Sequence, residues 1–382
     1  MYPRLLKPPD SSFFLFGPRG TGKSTWIRAN FSGAPSYDLL NSSEVIRLSR
    51  DPSLLYRECS TLPPNSWVVI DEVQKVPMIL EEVHRLIENR NLRFVLSGSS
   101  ARKLRRGGAN LLAGRALVKN MYPLAHAELP DGVNINKCIE FGLLPMAVTT
   151  QDPKPFLFAY AQTYLQEEIR AEALTRNIGN FSRFLEVAAR QNGQVTNVSN
   201  ISREAAVTRQ TVQNYFDILI DTLIGRWLPA WKLKTSTKQV QHPKFYFFDT
   251  GVTRALSGRL PYPPTEEERG ALFETFVIHQ ILSHLDYSGL HYPIYFWRSY
   301  DGIEVDVVCE TRNGFFALEI KSSARWEKKY GRGLKRFQNE LGKNKVAAYG
   351  VYLGKNPSIW DDIQVLPIKD FLSRLSSGEL IQ

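Results

Sequence analysis

The segment Gly17–Ser24 constrains the fold of this 382-residue chain more than any other. It reads Gly-Pro-Arg-Gly-Thr-Gly-Lys-Ser and matches the pattern G-x-x-x-x-G-K-[S/T]. The four apolar residues Phe13–Phe16 before it predict a buried strand, and Thr21–Asn30 predicts the helix that follows. A glycine-rich loop between a strand and a helix N-terminus turns its backbone N–H groups towards phosphate oxygens. The sequence therefore predicts a nucleoside triphosphate site.

The side chains of this loop have separate predicted roles. Lys23 can reach the β- and γ-phosphates, and the Ser24 hydroxyl can ligate Mg²⁺. The pattern thus predicts a bound nucleotide with Mg²⁺ as its cofactor. The nucleotide-binding residues that we predict here are Gly17, Pro18, Arg19, Gly20, Thr21, Gly22, Lys23, Ser24 and Thr25.

A second apolar strand carries two carboxylates at its end. Trp67–Ile70 is followed directly by Asp71 and Glu72. Asp71 is expected to hold the Mg²⁺ shell through water, and Glu72 to polarise the attacking water. Because a nucleotide-binding switch often lacks the second carboxylate, the pair favours hydrolysis.

An arginine downstream is a candidate for the charge of the transition state. Arg115 follows the glycine-containing segment Leu111–Gly114 in a basic stretch. It can complete the transition-state charge in cis or from a neighbouring subunit. The second possibility is our only indication of a homo-oligomer. A structural or DNA-facing arginine is the alternative.

The segment Gln194–Trp231 has the pattern of a winged helix. On its expected third helix, which Thr208 could cap, Val212, Phe216 and Leu219 recur on one apolar face. Polar residues near the helix start, among them Arg209, suit phosphates or base edges. Winged helices in ATPases also serve as lids or protein docks, so DNA contact is one of two expectations.

Two strands near the C-terminus bring acidic residues together. Alternation places Glu304 and Asp306 on one face of Glu304–Val308, and Glu319 and Lys321 on one face of Phe315–Lys321. A turn joins the two strands, so we expect a hairpin on which Asp306, Glu319 and Lys321 converge.

This arrangement resembles the D…(D/E)-x-K site of restriction-endonuclease-like nucleases, with Glu274 as the fourth acidic residue. Asp306 and Glu319 would hold one or two Mg²⁺ ions, and Lys321 would orient the water or neutralise charge on the transition state. The alternatives are a salt-bridged acidic hairpin and a nuclease fold with inactive chemistry.

The motifs together resemble a prokaryotic AAA+-like P-loop ATPase family whose members carry a C-terminal domain of unknown function. The resemblance rests on the phosphate loop and on six further segments: Ile70–Gln74, Leu96–Ser100, Leu112–Arg115, His242–Gly251, Leu272–Glu274 and the Glu-Ile-Lys of residues 319–321. It implies ATP as the nucleotide. It also implies that a polar residue after the strand Leu92–Leu96 senses the γ-phosphate, either Ser97 or Ser99.

The charge of the chain favours a polyanionic partner. Its formal net charge is +10, and basic residues concentrate between residues 101–120 and 321–345. We therefore expect nucleic acid as a partner, with DNA favoured.

No stretch approaches the roughly 20 apolar residues of a membrane helix, so we expect no membrane partner. Three widely spaced cysteines and no signal-peptide pattern favour the cytoplasm.

These patterns predict three α/β or helical parts. Residues 1–150 are expected to form a P-loop NTPase domain with an AAA+-like parallel sheet, 151–245 a helical and winged-helix domain, and 246–382 a restriction-endonuclease-like α/β domain. The predicted function is an ATP-hydrolysing protein that acts on DNA through a Mg²⁺-dependent nuclease-like domain. An ATP-gated DNA- or protein-binding regulator is the alternative.

Overall fold

The computed structural model describes residues 2–98, 111–164, 178–232 and 242–382, and contacts divide the chain into two units. The small unit consists of Arg4–Pro123 and the seven residues Ile218–Ile224. The large unit consists of Met1–Pro3, Leu124–Asp217 and Gly225–Gln382. The predicted three-domain boundaries stay predictions.

A five-stranded parallel sheet forms the centre of the small unit, in the order β2-β3-β4-β1-β5. Its strands are Phe13–Phe16 (β1), Ser36–Asp38 (β2), Trp67–Asp71 (β3), Arg93–Gly98 (β4) and Leu117–Asn120 (β5). Strand β1 is buried over its whole length, as its four apolar residues predict. The predicted strand at residues 92–96 is also present and extends to Gly98, which carries Ser97 to the end of the sheet.

Helices cover this sheet at Lys23–Asn30 (α1), Ser42–Arg50 (α2), Ser53–Cys59 (α3) and Ile79–Arg90 (α4). The start of α2 shows why helices form where they do. The Asn41 side chain accepts a hydrogen bond from the backbone N–H of Ser43, and Glu44 lies in the positive first turn. Helix α4 turns Ile79, Leu80, Val83 and Leu86 into the core, with its charged residues outside.

The first half of the large unit is mainly helical. Its helices are Ile135–Phe141 (α5), Pro145–Thr149 (α6), Lys154–Ala159 (α7), Ile178–Arg190 (α8), Val198–Glu204 (α9) and Arg209–Asp221 (α10), the last of which ends in the small unit. Thr208 caps α10 as predicted, since its Oγ1 accepts from the N–H of Thr211 at 3.2 Å. Val212, Phe216 and Leu219 are buried.

A two-stranded antiparallel sheet follows these helices, made of Gly225–Leu228 (β6) and Lys244–Phe247 (β7). The side chains of Phe216, Trp227 and Phe245 pack on one another, with ring centroids 4.7 to 5.0 Å apart. Helices α9 and α10 and strand β6 lie within the segment Gln194–Trp231. Their identification as a winged helix, and its contact with DNA, stay predictions.

The second half of the large unit contains a six-stranded mixed sheet in the order β12-β13-β11-β10-β9-β8. The strands are Ile294–Arg298 (β8), Glu304–Thr311 (β9), Gly314–Lys321 (β10), Val346–Tyr352 (β11), Ser358–Trp360 (β12) and Ile363–Pro367 (β13). Helices Thr250–Leu256 (α11), Glu266–Tyr287 (α12), Arg332–Leu341 (α13) and Ile368–Ser376 (α14) accompany it.

The predicted hairpin is present between β9 and β10. Gly314 pairs with Thr311 in antiparallel register, and its φ of +117° suits a glycine at this tight turn. The pairing continues to Leu318 opposite Val307. It brings the end of β10 beside the start of β9, where the acidic residues lie. That this sheet is a nuclease-like fold remains a prediction.

Within the described residues, the structure contains no helix that is both long and apolar enough to cross a membrane.

Candidate functional site

The phosphate loop has the backbone that its glycines permit. Gly20 and Gly22 have φ angles of +73° and +97°, a region that glycine enters at low cost. A Cβ on Gly17 would lie 2.4 Å from the carbonyl oxygen of Met121, so this position leaves no room for a side chain. The loop therefore needs glycine for conformation at two places and for space at a third.

Lys23 lies folded into this loop. Only 6% of the residue is exposed, and its ammonium donates to the carbonyl oxygens of Gly17 at 2.6 Å and Pro18 at 3.1 Å. The Thr21 hydroxyl donates to Pro18 as well, at 2.7 Å. Phosphate oxygens that entered the loop would accept the same ammonium protons. Arg19 and Thr25, also predicted to bind nucleotide, are partly exposed beside it.

One carboxylate joins the ends of three elements at the edge of the parallel sheet. Asp71 Oδ2 accepts from the hydroxyl of Ser24 at 2.9 Å, and Asp71 Oδ1 accepts from the hydroxyl of Ser97. The backbone N–H of Glu72 donates to Oδ1 at 3.1 Å. The structure therefore brings Ser24, Asp71 and Ser97 together. Hydroxyl and carboxylate oxygens are ligands suited to Mg²⁺.

Glu72 is held in an unusual conformation. Its φ is +58°, it is buried, and its carboxylate accepts from the side-chain amide of Gln74. A Cβ on Gly98 would lie 2.3 Å from Gln74 Oε1, so the glutamine packs against the end of β4. No role was predicted for Gln74, although its position two residues after the acidic pair is a signal that the sequence contains.

Arg4 supports the loop from outside the motif. Its guanidinium donates to the carbonyl oxygens of Thr21 at 2.6 Å and Tyr122 at 2.7 Å. The arginine thereby connects the start of α1 to the segment after β5. Because these partners are 17 and 118 residues away in sequence, no local pattern indicates this role.

The other two predicted residues of this site are not placed there. Ser99 lies outside the described residues. Arg115 precedes β5, whose Leu117 pairs with Phe13 at the start of β1, whereas the phosphate loop follows the end of β1. The length of β1, about 13 Å, therefore separates it from the loop. Arg115 pairs instead with Glu88 on α4. The structure does not bring it to the loop in cis, and its action in a neighbouring subunit stays a prediction.

The large unit contains a group of buried and partly buried charges that we call the acid cluster: Glu274, Glu304, Asp306 and Glu319, together with Lys244 and Lys321. Helix α12 supplies Glu274, β9 supplies Glu304 and Asp306, β10 supplies Glu319 and Lys321, and β7 supplies Lys244. The structure thus brings together the four predicted residues and adds two that were not assigned roles.

Asp306, Glu319 and Lys321 form one side of the cluster. The Lys321 ammonium lies 2.5 Å from Glu319 Oε1 and 3.7 Å from Asp306 Oδ2. Asp306 Oδ2 also accepts from the backbone N–H of Ile320 at 2.7 Å. Glu319 Oε2 is buried and has no hydrogen-bond partner among the described residues. A buried carboxylate oxygen without a partner is costly, so this atom marks a position where a further positive group fits.

Glu274 forms the other side with three residues. Its Oε1 accepts from the Lys244 ammonium at 3.0 Å and from the Tyr246 hydroxyl. Lys244 also pairs with Glu304. Lys244 and Tyr246 belong to the His242–Gly251 segment, whose sequence pattern gave no indication of an ion pair with a helix thirty residues away.

Burial and mutual charge shift the pKa values in the cluster. Burial raises the pKa of Glu319 well above its usual range, and the charge of Asp306 raises it further. Burial likewise raises the pKa of Glu274. Burial lowers the pKa of Lys321, but Asp306 and Glu319 raise it by more, so the amine stays protonated. Carboxylates that resist ionisation without a cation are typical of sites that bind one.

The carboxylates of the acid cluster include a pair that fits a metal ion. Among the described residues, no three side chains of His, Cys, Asp or Glu form a ready-made metal site. Asp306 and Glu319 alone are nevertheless a suitable pair, since Mg²⁺ is usually held by one or two carboxylates, water and substrate phosphates. The unpartnered Glu319 Oε2 supports this fit.

Protein-family models match three consecutive segments. Residues 10–129 match a model described as an AAA domain. Residues 133–262 and 269–371 each match a model described as a domain of unknown function. Most of the small unit therefore matches an AAA domain, and the geometry of its phosphate loop supports a P-loop ATPase.

Two relatives extend along nearly the whole chain. Uncharacterized proteins of Mycobacterium bovis and Mycobacterium tuberculosis are each 26% identical over 377 residues, which covers 96% of this chain and 82% of theirs. Among solved structures, a signal-transduction ATPase of the STAND class with a tetratricopeptide repeat sensor, from Pyrococcus horikoshii, is 11% identical. It covers 74% of this chain and 46% of its own at a TM-score of 0.27. That score does not establish a shared fold.

Proposed function

We propose that the small unit hydrolyses ATP with Mg²⁺. The observation that carries this proposal is the Asp71 carboxylate, which accepts from Ser24 on one side and from Ser97 on the other. These are the residues expected at the metal and at the γ-phosphate, and they lie at the same edge of the sheet as the loop. If Arg115 of a neighbouring subunit completes the site, hydrolysis will depend on a homo-oligomer.

Each residue has a part in this reaction. The loop amides and Lys23 bind and orient the β- and γ-phosphates, and Ser24 and Asp71 would hold Mg²⁺. When bound, the ion neutralises charge that develops between the two phosphates. Glu72 accepts a proton from the attacking water once its carboxylate is released from Gln74. The Ser97 hydroxyl, which donates a hydrogen bond to Asp71 in the structure, donates it to the γ-phosphate when the nucleotide is bound.

Two substitutions test the ATPase. Lys23→Ala is expected to abolish turnover, and Glu72→Gln to lower kcat about 100-fold or more while nucleotide still binds. Phosphate release and binding of a fluorescent ATP analogue are the measurements. Lys7→Ala, at an exposed lysine of the same unit, is the matched control and should behave as the unchanged protein. Normal turnover by Lys23→Ala would refute the assignment.

We further propose that the large unit acts on DNA as a Mg²⁺-dependent nuclease-like domain. Support comes from the acid cluster, above all from Glu319 Oε2, which is buried beside Asp306 without a partner. Asp306 and Glu319 would hold Mg²⁺ next to a scissile phosphate, and Lys321 would offset negative charge on the phosphate in the transition state. The exposed residues Lys328 and Arg332 supply positive charge for the DNA backbone.

Nuclease activity is tested with labelled single- and double-stranded DNA and RNA, with and without ATP, in Mg²⁺ or Mn²⁺. We expect metal-dependent cleavage of DNA that Glu319→Gln eliminates. Glu327→Gln is the control, since Glu327 is an exposed glutamate of the same unit paired with Lys329. Cleavage that persists in Glu319→Gln would indicate a contaminant or another site.

A second candidate is an ATP-gated DNA- or protein-binding regulator in which the acid cluster is structural. The observation that favours it is the position of the Lys321 ammonium, which lies between Asp306 and Glu319 and already neutralises them in part. ATP-dependent retention of DNA without cleavage under any metal condition would establish this alternative.

A further inference from the structure

Lys244 joins the acid cluster from a strand outside the six-stranded sheet. It begins β7, and Tyr246 follows two residues later on the same face of that strand. Both side chains donate to the same atom, Oε1 of Glu274. One oxygen of this carboxylate is thus held by two donors from a single strand.

The surroundings of Lys244 hold its charge in place. Only 6% of its side chain is exposed, compared with 30% for Lys321. Its ammonium pairs with Glu274 and Glu304 and lies 5.4 Å from the centroid of the Phe296 ring. A buried ammonium requires such partners. Here helix α12 and strand β9 each contribute one, so the amine connects two elements of the site.

The acid cluster therefore has two halves that differ in their capacity to bind a further cation. In the first half, Lys321 contacts Asp306 and Glu319, and Glu319 Oε2 is left without a partner among the described residues. In the second half, the Lys244 ammonium contacts the carboxylates of Glu274 and Glu304, and the Tyr246 hydroxyl also donates to Glu274. A cation entering the cluster meets open acceptor capacity in the first half. In the second it meets a fixed ammonium.

We propose that Lys244 occupies the position that a second cation would otherwise take, so that the acid cluster binds a single divalent cation, at Asp306 and Glu319. The inference rests on the proposed metal-dependent function. In this arrangement Glu274 and Glu304 hold the Lys244 ammonium in place and are not metal ligands. Arg298 adds further positive charge to the second half, since its Nε lies 4.0 Å from Glu304 Oε2.

The first test uses crystals of the unaltered full chain soaked in MnCl₂ without nucleotide. Anomalous scattering should reveal one Mn²⁺ ion between Asp306 and Glu319 and none beside Glu274 or Glu304. Two ions in the cluster, or one held by Glu274, would overturn the inference and leave the proposed metal dependence standing. The absence of any ion would overturn both.

The second test counts Mn²⁺ in solution by electron paramagnetic resonance, in an Asp71→Asn background that removes the site of the phosphate loop. One ion per chain is expected with Lys244 intact. Lys244→Gln should bind two ions, and their spin coupling should broaden the spectrum. The control Lys329→Gln removes an exposed lysine and should keep one ion.

A folded Lys244→Gln protein, as judged by circular dichroism, that still binds one ion would contradict the proposal. If this variant does not fold, the crystal experiment alone decides, because it requires no substitution.

Discussion

Asp249 shows how one buried side chain holds together two parts of the large unit. Its carboxylate accepts from the N–H of Val252 at 3.0 Å, which caps helix α11, and from the N–H of Leu143 at 2.6 Å. A Cβ on Gly142 would lie 2.0 Å from Asp249 Oδ1, and Gly142 has a φ of +80°. Space and conformation both require glycine there. Part of the His242–Gly251 pattern thus serves the fold.

This aspartate makes stability depend on pH. Burial raises the pKa of Asp249 from 3.8 to about 6. Between these values the folded chain keeps a proton that the unfolded chain releases, so the stabilising contribution is complete below about pH 4 and is lost as the pH rises through 6. The expected loss is roughly 3 kcal/mol. Asp249→Asn has no proton to release and should lack this decline.

Urea unfolding of both proteins at pH 4, 5, 6 and 7 is the measurement. The difference between the two free energies of unfolding isolates the aspartate from other titrating groups. Parallel curves would contradict the prediction.

At the scale of elements, two helices carry glycines in opposite situations. In helix α12 the atom nearest to a Cβ built on Gly270 is Ser322 Oγ, at 3.8 Å. In helix α13 a Cβ on Gly333 would lie 1.9 Å from the carbonyl oxygen of Glu304. The first glycine is merely tolerated by its helix. The second allows α13 to pack closely on β9 beside the acid cluster.

Alanine should therefore have opposite effects at the two positions. Gly270→Ala should stabilise the protein by about 0.5–1 kcal/mol, because alanine loses less entropy in a helix. Gly333→Ala should destabilise it by about 1–3 kcal/mol, because α13 must move away from β9. Thermal or urea unfolding of the two variants serves as a matched comparison. Stabilisation by both substitutions would show that helix propensity, and not packing, dominates at both positions.

Elements with dense local signals were predictable from sequence. Strand β1 was predicted at its observed bounds because four apolar residues are followed by a glycine-rich loop, and the β9–β10 hairpin because turn residues separate two alternating strands. Strands β2 and β5 were missed. They are short, lie at the sheet edges and expose many of their side chains, so they lack an apolar pattern.

The candidate sites divide in the same way. The loop, Asp71 and the Asp306–Glu319–Lys321 group lie in compact motifs, and pattern analysis found them. Arg4 and Lys244 act on atoms that are distant in sequence, and only the folded chain brings them there. Arg115 was associated with the loop by its local sequence, but parallel strand pairing carries it to the opposite end of β1.

For the whole molecule, positive charge is the main clue to a partner. Part of this charge is neutralised internally, as by the ion pairs Lys335–Asp361 and Lys343–Asp362. Lys328 and Arg332 are exposed, and between them lies Tyr330, whose ring centroid is 5.9 Å from Lys321 Nζ. The formal net charge of +10 already subtracts such acidic partners, so the charge that a DNA backbone would meet depends on where the remaining basic residues lie.

We expect DNA affinity to fall as salt rises, with a slope of log K against log salt of about −0.9 per phosphate contacted. Replacing Lys328 and Arg332 by glutamine should reduce the magnitude of this slope by about 2. Fluorescence anisotropy between 50 and 200 mM NaCl, values chosen to cover the range over which phosphate contacts lose affinity, measures the slope. The control Lys343→Gln, at a lysine already paired, should leave it nearly unchanged. An unaltered slope in the double variant would show that Lys328 and Arg332 do not contact DNA phosphates.

The small unit takes seven residues, Ile218–Ile224, from beyond the middle of the chain, and Leu223 packs against its apolar core. A gene truncated after codon 123 or 150 would encode that unit without this piece and leave part of its core uncovered. Such fragments should be poorly soluble, and failure of a truncated ATPase would reveal little about the enzyme. The two units are therefore better studied by point substitution in the intact chain. A rearranged gene that joins residues 218–224 to the small unit is the other choice.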